Sequence, residues 1–216
     1  MKRTALVLVS LAVLACAGDK RIRRKIGSGV EDQRTETLSK FSKVQLDGAY
    51  DASVVVGEPA RIDIFGDDDL IHEIDAEVHD GTLAVVMPRH FDPRVPITVQ
   101  IVAPELTAFE NNGATRLEIS GIDGEHLDLE LNGAGKTRVI GRVDHLQIEM
   151  SGANRVDTTE LAARQVDVEL NGSGKAEVSA TDLLRAEING TGRVRYGGGP
   201  DKVVKEVNGI GSVKPL

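Results

Sequence analysis

The chain has 216 residues, with 34 Asp and Glu against 26 Lys and Arg and a formal net charge of −8. That acidic balance argues against nucleic acid as a partner. A single cysteine and the absence of tryptophan exclude an intrachain disulfide and leave Val, Ile, Leu and Ala to fill the core.

Met1-Lys2-Arg3 precedes an apolar run over residues 5–14. The run is too short to span a bilayer, so residues 1–15 are expected to be an export signal peptide. It closes on Val13-Leu14-Ala15-Cys16, which resembles the bacterial lipobox. The resemblance implies cleavage before Cys16, a diacylglyceryl group on its sulfur and acylation of the new amino terminus. Ordinary cleavage beside the small residues Ala15 and Ala17 is the alternative. Ala17 stands where an Asp would signal inner-membrane retention, so the expected location is the cell envelope, at the outer membrane of a two-membraned bacterium. Residues 16–25 then form a lipid anchor and basic tether, in which Lys20, Arg21, Arg23, Arg24 and Lys25 either meet anionic headgroups or are simply solvated.

Residues 17–38 are polar and read as a tether leading into a first strand. The body is expected to cover 26–216, with an irregular strand-rich half to 104 and a regular half from 105. Residues 51–56 and 60–65 alternate apolar and polar as half-buried strands do. Residues 67–74 open on Asp67-Asp68-Asp69, which predicts a short helical turn capped by those carboxylates. Asp80-Gly81 predicts a hairpin over 77–86. Pro88, Pro93 and Pro96 mark a loop before another strand over 97–102.

From Glu110 onward one phrase recurs: a Glu, any residue, Asn or Ser, then Gly. That Gly falls at 113, 133, 152, 172, 190 and 209, at intervals of 20, 19, 20, 18 and 19, a period of one solenoid coil. Six, four and two residues before it stand triplets such as Leu127, Leu129, Leu131 and Val166, Val168, Leu170. Each triplet makes one strand with an apolar face, and four residues beyond the Gly a second apolar face begins. The fold class is therefore all-β, a single-stranded parallel β-helix of about 19 residues per coil, expected to be right-handed because parallel crossovers almost always are. The last coil should be atypical, as edge coils are: Lys205 occupies a place that is apolar in the others.

Several motifs follow one another in order: Gly27-Ser28-Gly29, a strand ending Leu46-Asp47-Gly48, the Asp67 turn, His79-Asp80-Gly81, Val102-Ala103-Pro104, and the Asn-Gly coils. Their succession resembles the auto-transporter adhesin head GIN domain family of bacterial envelope proteins over about residues 26–216. The resemblance implies an exported β-helix, with a binding, adhesion or structural role in the envelope.

Read coil by coil, chemistry-bearing residues form columns. Asn112, Asn132, Asn171, Asn189 and Asn208, with Ser151, precede the glycines, and their amides are expected to ladder between coils. A Glu stands three residues before each glycine; Arg116, Lys136, Arg155, Lys175 and Arg193 stand three after. Such like-charge columns repel unless offset. The expected offset is pairing of the two columns across the corner; the alternative is a basic stripe that grips a polyanion or acidic glycan. Basic residues after the glycines exclude the calcium-roll pattern.

His126 and His145 should stack on neighbouring coils without a third metal ligand in their row. Glu125 and Asp144 are the acid pair to consider for the alternative function, a polysaccharide lyase or glycosidase on a β-helix. No nucleophile-and-base arrangement or phosphate loop is present in the sequence. The expectation is therefore a non-catalytic module with no cofactor and no bound metal.

Overall fold

The computed structural model describes residues 24–216. Residues 1–23, including the signal, Cys16 and most of the basic tether, lie outside the described residues.

Four long strands, Ala114–Leu131, Ala134–Met150, Ala153–Leu170 and Ser173–Ile188, each make most of one coil. They pair in parallel and in register, so that Leu127, Leu146, Val166 and Leu184 form one row and Leu131, Met150, Leu170 and Ile188 another. All eight are buried. In-register pairing repeats the apolar triplets at strand spacing, about 4.8 Å, and their side chains fill a continuous aliphatic lumen. Beyond the corner, Leu117, Thr137, Val156, Ala176 and Val194 line the opposite inner face. The result is a β-solenoid of about 20 residues per coil and roughly five turns.

The corner glycines owe their place to close stacking more than to backbone angle. Of the six, only Gly152 has a left-handed φ, +104°. A Cβ on Gly172 would lie 2.3 Å from the Gly152 carbonyl oxygen, and one on Gly133 would lie 1.8 Å from that of Gly113. The backbones approach where no side chain fits, so these corners need glycine for space rather than for its range of φ.

The coil pattern starts before the legible repeat. Lys43–Asp47 and Ala49–Val56 pair in parallel with Ala108–Asn111 and Ala114–Leu131, making Gly48 a corner. Thr82–Val86 and Thr98–Ala103 stack on the other side of that coil. The chain thus lays down one coil, adds a second on its outer side, and crosses back to grow the regular stack from the inner side. Antiparallel strands close this first end: Arg61–Asp67 against Thr98–Ala103, Glu31–Thr37 against Arg61–Asp67, and Asp75–His79 against Thr82–Val86. Part of the expected tether is therefore an edge strand that covers the sheet.

The 77–86 hairpin is present, with Asp80 at φ +48° and Gly81 at +74°. The helical turn is only Ile71–Glu73, preceded by Leu70, and it has no side-chain cap. Asp67 does something else: its carboxylate accepts from the backbone N–H groups of Gly29, Arg94 and Val95. The turn is tied down instead by Arg34, whose Nη1 donates to the carbonyls of Ile71 and Ile74, each at 2.8 Å.

The far end closes differently. Lys202–Val207 and Ile210–Pro215 are edge strands, and Val204, Val207 and Ile210 stand exposed on them. Lys205 Nζ donates to the Val213 carbonyl at 3.0 Å and lies 5.3 Å from the Tyr196 ring centroid. A long cationic side chain thus spans the open mouth where an aliphatic one would face water.

Candidate functional site

The side chains three residues after each corner glycine point outward, because the residues before and after them in the strand point in. Register places Arg116, Lys136, Arg155, Lys175 and Arg193 side by side in one exposed column. At strand spacing, neighbouring charges in water repel by about 1 kcal/mol at most. Arg116 lies 3.8 Å from Asp51, the residue that continues the column into the preceding coil. Among the described residues the other four cations have neither ion pair nor side-chain hydrogen bond.

The acidic column does not compensate them. Glu110, Glu130, Glu169, Glu187 and Glu206 each accept from the Asn two residues on, at 2.6 to 3.2 Å. Residues i and i+2 share a strand face, so the Asn amide is within easy reach while the basic column is round the corner. The expected cross-corner pairing is thus replaced by pairing within each coil. The same amides also ladder: Asn132 donates to Asn112, Asn189 to Asn171 and Asn208 to Asn189, at 3.0 to 3.1 Å. The ladder breaks where Ser151 replaces Asn.

The basic column borders a trough along the stack. One part, about 950 Å³, lies on the corner side of the column and runs from Lys136 past Arg155, Lys175 and Arg193 to Ser212, beside Gly135, Gly174, Gly192 and Gly211 and the small Ala153, Ser173 and Thr191. A second part, about 660 Å³, shares Lys136 and Arg155 and continues past Arg116 to Asp51 and Thr98. The next outward row contributes Glu118, Arg138 and Asp157 to this second part. The side chain of Thr159 bonds to Asp157, which holds that carboxyl below the usual range despite its partial burial. Sequence spacing predicts the column; the trough requires the coils' three-dimensional bend.

His126 and His145 do stack, with ring centroids 5.2 Å apart. Each turns Nε2 onto a carboxylate that the row reading missed: Asp128 at 2.7 Å and Asp167 at 2.6 Å. Arg185 adds a further contact to Asp167 at 3.3 Å. Among the described residues no group of three or more His, Cys, Asp and Glu is arranged to hold a metal ion. Glu125 and Asp144 are both exposed, between the paired rows Gly124 with Val143 and His126 with His145. Neither lines either part of the trough.

In-register coils with tight glycine corners and outward columns of charge and amide define a parallel β-solenoid whose faces, rather than a deep cleft, present its chemistry. The chain belongs to the family described as putative auto-transporter adhesin, head GIN domain, whose model matches residues 40–200. Solved structures share the fold. A putative adhesin from Bacteroides fragilis NCTC 9343 is 19% identical with a TM-score of 0.73, over 89% of this chain and 100% of that one. A putative adhesin from Parabacteroides merdae ATCC 43184 is 20% identical with a TM-score of 0.59, over 90% and 99%. A putative lipid binding protein from Parabacteroides distasonis ATCC 8503 is 21% identical with a TM-score of 0.52, over 90% and 100%. No curated relative matches the chain.

Proposed function

We propose that this chain is an exported binding module of the bacterial envelope, held by lipid at Cys16, that engages an anionic partner through Arg116, Lys136, Arg155, Lys175 and Arg193 and catalyses no reaction. In a two-membraned bacterium its place is the outer membrane. The observation that carries the reading is the run of four exposed cations beside an open trough, without an ion-pair partner among the described residues. Membership of an adhesin-like family supports a surface role. The lyase or glycosidase alternative has less support, because its best acid pair, Glu125 and Asp144, stands outside the trough.

The test is binding of the full chain to a panel of polyanions, beside a variant with all five cations changed to Gln. Attraction across an exposed surface is screened within about 10 Å at 0.1 M salt. Wild-type binding should therefore weaken steeply with salt, and the variant should bind far less while melting at the same temperature. Binding indifferent to both changes rejects the stripe. Polysaccharide cleavage lost on replacing Glu125 and Asp144 by Gln and Asn establishes the enzyme instead.

A further inference from the structure

Resting on the reading of the basic column as a binding face, we infer that the trough takes a linear polymer of acidic sugars, lying along the solenoid axis with its carboxylates in step with the coils.

The first ground is pitch. The column's cations are fixed by in-register pairing, so their bases are spaced about 4.8 Å apart, and five of them span roughly 19 Å. A 1,4-linked pyranose chain advances by about one strand spacing per ring and turns between rings by about a half or a third of a revolution, so a polyuronate presents a carboxylate to this face at about every second or third coil. Arg116, Arg155 and Arg193 alternate with Lys136 and Lys175. A guanidinium can take a carboxylate with two parallel hydrogen bonds, and an ammonium takes it as a point charge.

The second ground is shape. The two parts lie on opposite flanks of the column, overlap at Lys136 and Arg155, and each extends over several coils. A channel open along its length suits a chain that continues past both ends, whereas a compact anion would touch one or two coils. It also disfavours a second copy of this protein, even though the Glu column repeats at the same pitch. The Glu side chains that such a copy would offer are already held by their own Asn amides.

The third ground is what stands opposite the cations. In the second part of the trough, Glu118 and Asp157 form part of the next outward row. Carboxylates there accept from sugar hydroxyls but repel a polymer charged on every side. An acidic sugar chain carries hydroxyl donors interspersed with its anions, while polyphosphate offers no donors. Single-stranded nucleic acid would want aromatic platforms for its bases, and no aromatic residue lines either part.

The experiment uses the full chain in non-ionic detergent, titrated with oligogalacturonates of increasing length, polyphosphate, and fully methyl-esterified polygalacturonate. Expected are binding that tightens with length up to about five sugars, loss of roughly tenfold in affinity between about 50 and 200 mM salt, and no binding of the esterified polymer. Arg155→Gln with Lys175→Gln should weaken binding at least several-fold. Glu169→Gln, on the other face, should leave it unchanged, and unchanged melting of both variants shows that folding is not the cause. Polyphosphate binding at least as tightly as the polyuronate, through the same two residues, overturns the acidic-sugar inference and leaves the binding face standing. Failure of every polyanion to bind the folded wild type overturns both. Self-association that needs both the Glu and the basic columns, with no polymer bound, assigns the face to a second copy and overturns the inference as well.

Discussion

Asp67 packs against Gly27 so closely that a Cβ on the glycine would stand 2.3 Å from the carboxylate carbon. The bare backbone admits a carboxylate that is wholly buried, and the carboxylate then fastens two distant pieces of chain. Its Oδ1 accepts from Gly29 at 2.6 Å, and its Oδ2 from Arg94 and Val95 at 2.9 and 3.0 Å. Burial alone would raise the Asp67 pKa, but the N–H groups of Val95, Gly29 and Arg94 outweigh it, and the carboxyl is held below its ordinary value.

Asp67→Ala should therefore destabilise by about 3 kcal/mol, because it strands three donors at a buried site. Asp67→Asn should be milder: an amide oxygen at the Oδ2 position keeps Arg94 and Val95, and only Gly29 faces an NH2. A depressed folded-state pKa contributes stability above the unfolded value, about 3.9, that is lost as pH falls through the folded one. The stability gap between wild type and Asp67→Asn should thus narrow below about pH 4, as read by denaturant melts across pH. A gap that stays constant to pH 2 would show that the carboxylate's charge plays no part.

Alternation along the strand makes neighbouring residues differ sharply. Leu170 is buried in the lumen row between Met150 and Ile188, and Leu170→Asp should cost more than about 4 kcal/mol, as an unpaired carboxylate in an aliphatic interior. Glu169 is exposed, and its Oε1 accepts from Asn171. Glu169→Gln keeps an oxygen acceptor there and should change stability by less than about 0.5 kcal/mol. Thermal melts of the pair check the assignment of faces.

At the corner the limit is contact between backbones. Gly172→Ala would place a Cβ 2.3 Å from the Gly152 carbonyl oxygen, so two coils must separate and their hydrogen bonds lengthen. A loss of about 2 kcal/mol or more is expected. Gly81, with a φ of +74° and nothing within 4 Å of its Cβ position, gives the contrast: Gly81→Ala meets only the backbone preference, about 1 to 2 kcal/mol.

The periodic half of the molecule is legible because one register repeats every contact, so residue type alone assigns each side chain to the lumen or to solvent. The coil around Gly48 hides from the same reading. It keeps the apolar places, with Val44 and Leu46 before the glycine and Ala52 and Val54 after it, but Gln45, Asp47 and Asp51 stand where later coils have Glu, Asn and a basic residue. In the coil stacked outside it, residues 87–97 interrupt the corner. Asp67 was misread for another reason. A local pattern offers helix capping, whereas its true partners lie 27 to 38 residues away. The columns were visible but their pairing was not, since the nearer donor to five of the six glutamates is the Asn two residues ahead.

Lipid attachment at Cys16 is part of the proposed function and has its own test. Cys16→Ser should leave the chain unacylated, with a mass lacking the lipid, and should shift it out of the membrane fraction or hold it as precursor. An unchanged partition and mass would remove the anchor.

The break in the amide ladder offers a gain of stability. Ser151 sits between Asn132 and Asn171 in the column, and its hydroxyl is too short to link them. Accordingly, Asn171 donates to Glu169 but to no side chain of the preceding coil, and Glu149 lacks the amide partner that the other glutamates of its column have. Ser151→Asn would supply an Nδ2 for both Asn132 and Glu149 and an Oδ1 for Asn171, making the ladder continuous from Asn112 to Asn208. Three new exposed hydrogen bonds, each worth a fraction of the roughly 1 kcal/mol typical of a net intramolecular bond, should together raise stability by about 1 kcal/mol. Gly152, the next residue, alone among the six glycines of the repeat has a left-handed φ, so the substitution also tests whether the corner's geometry follows from the missing amide. A raised melting temperature supports the ladder as a stabilising column; a lowered one would show that this corner is shaped for a small residue.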